Sequence, residues 1–186
     1  SRTTEIGIRK RFGHAKISAN AFYTETKNMI DWATSQTAPT VYTTTPTNVK
    51  SAEIKGLELQ ADLILGEWDT AVRVTLLDAI DVSRQQQLDR RPKQTVNLLL
   101  NRSYDKQNAG IEVLYNGSHL DANGTIERGG YTLTNLVYGY QYSKTFLVQA
   151  RLENIFDKDY VITSSSFAGD YATLGRTAYL TLTYYP

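Results

Sequence analysis

No stretch of this chain carries more than three apolar residues in a row, and along most of its length apolar and polar residues alternate. A transmembrane helix needs about 20 mostly apolar residues, so none is encoded. Nothing longer than a turn or two keeps the 3.6-residue period of an amphipathic helix either. Period two dominates. Val72, Val74 and Leu76 share one side against Arg73 and Thr75, and Ile111, Val113 and Tyr115 oppose Glu112 and Asn116. Phe146, Val148, Ala150 and Leu152 oppose Gln149, Arg151 and Glu153; Ala178, Leu180, Leu182 and Tyr184 oppose Thr177, Thr181 and Thr183. Successive side chains on opposite faces of a pleat give each such strand one oily and one wet face.

The pattern predicts an all-β chain of nine strand-like segments, at residues 3–12, 14–32, 48–65, 68–82, 91–104, 108–117, 130–142, 145–163 and 176–185. The four prolines fall outside strand interiors, as a residue without an N–H must: Pro39 and Pro46 lie between segments, Pro92 opens one and Pro186 ends the chain. The connections alternate. Short turns at Gly13, 66–67, 105–107 and 143–144 take turns with long polar loops at 33–47, 83–90, 118–129 and 164–175. A soluble sandwich has no reason to place every long loop at one end, whereas outer-membrane barrels have short periplasmic turns and long extracellular loops. The reading is therefore an antiparallel up-and-down transmembrane β-barrel segment, its C-terminus periplasmic and its long loops outside. Tyr138, Tyr140, Tyr142 and Tyr184 suit an interfacial aromatic belt. The alternative from another class is a soluble β-sandwich binding module, which would stay monomeric without detergent. The loop at 33–47, with seven threonines and two prolines from Thr34 to Thr47, is expected to be mobile and to form no packed core.

Composition narrows the function. Lys and Arg total 20 against 19 Asp and Glu, a balance that argues against a nucleic-acid partner. Cysteine is absent, which removes disulfides, thiolate metal sites and thiol nucleophiles together. With His14 and His119 far apart and read as solvated, no metal site is expected. The Asp121-Ala122-Asn123-Gly124 stretch has a calcium-loop flavour, but Thr132 stands where the bidentate Glu belongs, so it is read as a turn. Three Asn-x-Ser/Thr sequons, at Asn101, Asn116 and Asn123, carry no message outside a eukaryotic secretory route. Glu58 and Asp62 share a strand face; as a charged wall facing Arg73 and Arg151 they need no catalytic role. No catalytic residue is expected, and the chain is not read as an enzyme. The Ser1-Arg2-Thr3-Thr4 start shows no signal peptide, so the chain is expected either to be cytoplasmic or to lack its beginning.

Three stretches resemble TonB-dependent outer-membrane receptors. Residues 152–160, LENIFDKDY, are similar to that family's NLFDKDY signature, followed by a loop and a last strand at 175–185. Residues 48–59, NVKSAEIKGLEL, resemble its N…A…IKG(V/L)E strand. Within the family, Leu88-Asp89-Arg90-Arg91-Pro92-Lys93 resembles the L-x-R-R-x-K opening of a strand in vitamin B12 (cobalamin) receptors.

The resemblance implies that residues 1–186 are the C-terminal nine strands of a 22-stranded barrel in a bacterial outer membrane, with the plug domain, the TonB box and thirteen strands absent. Its implied partners are outer-membrane lipid, the remaining strands and plug of the same receptor, TonB acting through that plug, and a corrinoid ligand. No cofactor is implied, and any calcium sites lie outside the chain. The ligand contact it carries over is Arg90; the plainer role is that Arg90 and Arg91 cap a lumen face at the membrane boundary. A ferric siderophore is the other ligand class, since the DKDY and KGLE features are shared across the family. A corrinoid-contacting tyrosine of the family has no match around 120–125, and Pro186 stands where a final aromatic is normal.

Overall fold

The computed structural model describes residues 1–122, 124–165, 169–171 and 173–186; Asn123, and the sequon it begins, lie outside that description. The described chain is all-β and antiparallel. Its main sheet runs in chain order through β1 (Arg2–Phe12), β2 (Ala15–Ala38), β3 (Val41–Leu65), β4 (Trp68–Asp81), β6 (Gln94–Tyr104), β7 (Gln107–Asn116), β10 (Tyr131–Ser143), β11 (Phe146–Glu153) and β14 (Thr177–Tyr184). Short β5 (Gln86–Gln87) pairs with the end of β4. The hairpins β8 (His119–Asp121) with β9 (Ile126–Arg128), and β12 (Ser164–Ser165) with β13 (Gly169–Asp170), belong to the loops. The nine long strands correspond to the nine expected segments, each joined to the next as in an up-and-down wall. The sheet is open, with β1 and β14 at its edges.

The register explains why period two is so clear in the sequence. One row crosses from Ile8 to Ala19, Leu59, Val74, Val96 and Tyr115, all on the same side. The opposite side carries Glu58, Arg73, Glu112, Asn135 and Arg151. No second sheet packs on the apolar side: among the described residues only Ala52 and Ala79 are buried apolar residues, while Ile8 and Leu180 are each 71% exposed. A soluble sandwich would bury such a face at roughly 25 cal/mol per Å², so this chain is not one. From Ala15 to Tyr23 the apolar side of β2 covers about 27 Å of strand, or about 20 Å once tilted as barrel strands are, close to the height of a membrane-facing band.

Aromatic residues collect at the short-turn end of that side. Tyr104, Tyr138, Tyr140, Tyr142 and Tyr184 stand there, with the Phe146 and Tyr184 rings 6.4 Å apart across β11 and β14. At the same level Arg102 lies 5.9 Å over the Trp68 ring and pairs with Glu67, keeping its charge at the boundary while its stem covers apolar surface. Each short turn has two residues between its closing pair, and Gly13 opens the first of them at φ +48°, a conformation that costs a glycine little.

Two expectations are corrected here. The threonine-rich 33–47 segment is not a loop: β2 and β3 continue into it and close at Pro39-Thr40. Threonine is a good strand former, Thr37 and Thr43 hydroxyls meet at 3.3 Å, and Gln36 Nε2 donates to the Pro39 carbonyl at 2.9 Å. β4 pairs no further along β3 than Ala52, so Pro46 sits on a ribbon where no third strand needs its missing N–H. The second correction concerns residues 145–163. β11 stops at Glu153, because Asn154 turns the chain at φ +49°.

Candidate functional site

The long connections after β4, β7 and β11 lie at one end of the sheet, and their polar side chains meet in one hub. Arg90, on the first connection, is held at both ends by the second. Its backbone N–H donates to the Leu120 carbonyl at 2.7 Å and its Nε donates to Asp121 Oδ1 at 2.9 Å. The third connection closes the hub: Ser164 N–H and Thr163 Oγ1 donate to Asp121 Oδ2 at 2.5 and 3.1 Å, and Arg90 Nη2 reaches the Ser164 carbonyl at 3.4 Å. Ser164 Oγ then donates to Asp170 at 2.6 Å, and Arg128 pairs with that carboxylate.

Asp121 is 0% exposed. Burial alone pushes its carboxyl up, but the hydrogen bonds from Arg90, from the Ser164 and Ala122 amides and from Thr163 outweigh it and hold the group at about 2. A carboxylate that accepts several N–H bonds is stabilised in its charged form. Asp170 is likewise lowered, first by the Ser164 hydroxyl and then by Arg128. The hub is thus ionised throughout the physiological range. Arg90 keeps 57% of its side chain exposed and adopts φ +59°, a left-handed conformation that costs an arginine about 1 kcal/mol and persists only where its surroundings fix it.

Beside the hub an open cleft of 570 Å³ is lined by Arg128, Tyr131, Lys158, Tyr160 and Asp170. The Tyr131 and Tyr160 rings stand 4.6 Å apart. Ring faces, two cations and the carboxylates of Glu127, Asp159 and Asp170 along its lining give it the means to hold a flat, polar organic ligand.

The 152–160 signature has a structural explanation. Asn154 Oδ1 accepts the Lys158 amide at 2.8 Å and its Nδ2 donates to the Lys158 carbonyl at 3.0 Å, clamping the turn that ends β11. Its own N–H donates to Asn135 Oδ1 at 2.9 Å, tying the turn to β10. Asp157 Oδ1 accepts the Arg176 amide at 2.7 Å, guiding the chain into β14. In the KGLE strand, Gly56 lies under Phe22 of β2: a β-carbon there would come within 2.2 Å of the ring.

Of the residues singled out from sequence, His14 is exposed in its turn, but His119 is not solvated. It is 6% exposed, with Nε2 3.2 Å from the Ile162 carbonyl, because the 117–130 loop folds back under the third connection. Asp62 meets Arg73 at 3.6 Å and Lys16 at 3.9 Å. Arg151, however, pairs with Glu112 at 2.9 Å and Glu153 at 2.7 Å rather than with Glu58 or Asp62. Glu58 and Asp62 are about 13 Å apart along β3, too far for shared acid–base work. Nothing in the sequence pattern groups Asp121, Arg128, Ser164 and Asp170 into one site. Only the Asp121–Gly124 turn hinted at them, and partners 31 to 43 residues distant leave no local spacing to read.

An open antiparallel wall with an oily outside, a charged inside and tied loops at one end defines part of an outer-membrane receptor barrel. The TonB dependent receptor-like β-barrel family profile matches residues 1–155, and the chain belongs to that family, whose members are receptors and transporters of the outer membrane rather than enzymes. It is 30% identical over 184 residues to the vitamin B12 transporter BtuB of Vibrio vulnificus (strain YJ016), covering 99% of this chain and 29% of that protein. The chain therefore spans about three tenths of that relative. Among solved structures, the copper transporter OprC superposes with a TM-score of 0.85 at 19% identity, over 98% of this chain and 31% of that one. The siderophore receptor PiuA from Acinetobacter baumannii gives 0.78 at 23% identity, over 98% and 28%.

Proposed function

We propose that residues 1–186 are the C-terminal barrel wall of a TonB-dependent receptor that takes up a corrinoid, with the three long connections facing outward and the short turns and the chain's end facing the periplasm. The missing strands and a plug complete the barrel, since an open sheet in lipid leaves unsatisfied backbone groups at both edges; TonB acts through that plug. The observation that carries the ligand is Arg90. It lies in the segment resembling cobalamin receptors, and it presents a half-exposed, held guanidinium suited to amide or phosphate oxygens, both of which cobalamin carries. The likeness to a vitamin B12 transporter over 99% of the chain supports the same ligand.

A second reading, a ferric siderophore, rests on the likeness to the siderophore receptor PiuA and on the shared DKDY and KGLE features. Equilibrium binding to the complete receptor separates the two. Saturable cyanocobalamin binding at or below micromolar ligand is the expected result; no binding there, with binding of a ferric chelate, overturns the corrinoid reading.

A further inference from the structure

We infer that Asp121 is a positioning residue that sets Arg90 in place for its ligand, an inference that rests on the corrinoid reading above. Adjacent residues of the second connection grip both ends of Arg90: the Leu120 carbonyl takes its backbone N–H at 2.7 Å and Asp121 takes its Nε at 2.9 Å. Of the five N–H donors on a guanidinium, Nε and one Nη2 hydrogen are thereby directed inward, toward Asp121 and the Ser164 carbonyl. The remaining edge belongs to a side chain that is 57% exposed. Asp121 is itself 0% exposed, so it touches no ligand and acts through Arg90. A long side chain fixed before the ligand arrives has less freedom to lose on binding, and a lysine, with no Nε–H at that place, cannot be held in the same way.

Asp121 also binds Thr163 and Ser164, so a role confined to tying the loops together has to be separated from positioning. The test is equilibrium binding of cyanocobalamin to the complete receptor in four forms: wild type, R90A, D121N and the double variant. R90A is expected to weaken binding about ten- to a hundredfold, the worth of one or two hydrogen bonds to a charged group, and D121N to weaken it by a similar factor. In the R90A background D121N then costs nothing further, because the group it positions is gone. Unchanged binding by D121N alone overturns the inference, and so does a full additional loss in the double variant, which is what loop tying predicts. R90K, which leaves Asp121 intact, should fall to the level of R90A, and wild-type affinity in R90K overturns the inference even where D121N fails to assemble. Failure of the wild type to bind cyanocobalamin removes the corrinoid reading and the inference together; every other result leaves that reading standing.

Discussion

Asn154 donates its backbone N–H to the side-chain oxygen of Asn135 at 2.9 Å, which fastens the turn that ends β11 to the middle of the neighbouring strand β10. Both residues are buried, and Asn135 uses its amide nitrogen on Glu112 at 2.9 Å. Asn135→Ala leaves a buried N–H and a carboxylate short of partners, a loss of about 1–3 kcal/mol. Thermal unfolding of the complete receptor, followed by its change in electrophoretic mobility, should show a lowered midpoint; an unchanged midpoint contradicts the role assigned to this contact.

Gly56 is constrained by Phe22 rather than by its own backbone. A β-carbon at 2.2 Å from the ring has to displace it, so Gly56→Ala is expected to destabilise the receptor by about 1–3 kcal/mol, as overpacking does. Phe22→Ala removes the obstacle. Adding Gly56→Ala to Phe22→Ala should therefore cost nearly nothing in the same unfolding measurement, and additive losses would show that the ring is not the cause.

The two faces of β4 predict opposite sensitivities at neighbouring positions. Val74→Lys puts a charge on the membrane side and should cost about 2–4 kcal/mol. Thr75→Lys points inward, opposite Glu58 on β3, and should stay within about 0.5 kcal/mol. Denaturant titrations of the refolded receptor in lipid read both values, and equal costs would contradict the assignment of faces.

Asp121 also predicts how the loops respond to acid. Its carboxyl is held at about 2 in the folded protein, below its unfolded value of about 4. A lowered folded value means that the stabilisation, about 2 kcal/mol for so buried a group, is complete above pH 4 and is lost as pH falls toward 2. Hydrogen-exchange protection of the Ser164 amide should be constant from pH 8 to pH 5 and fall below pH 4. Loss of protection near pH 6 instead would point to another group.

Much of the wall was legible because barrel strands obey a local rule. Leu76 and Thr75 differ in environment only through the pleat, so a period-two reading locates the nine long strands of the wall, and Gly13 and Gly66 mark two of its short turns. The signature at 152–160 marked the right place, although its strand ended at Glu153 and the rest became a clamped turn. What sequence did not show were partners brought together by the loops. Arg90 drew attention by resemblance, yet Asp121 read as turn chemistry and His119 as solvated, because burial in the hub depends on three connections folding over one another. The threonine-rich segment misled for the reverse reason: its composition looks like a loop, while β-branched residues paired across a ribbon need no core to stay extended.

A membrane wall built from this sheet has lipid on the side of Val72, Val74 and Leu76 and an aqueous interior on the side of Arg73 and Thr75. With any cysteine outside this cysteine-free segment first replaced, single cysteines can be placed at each of these five positions of the complete receptor, spin-labelled and reconstituted in lipid bilayers. Collision rates with oxygen, which concentrates in lipid, and with a water-soluble nickel complex should alternate: oxygen high at 72, 74 and 76, nickel high at 73 and 75. Uniform accessibility along the strand, or the opposite alternation, would contradict the account.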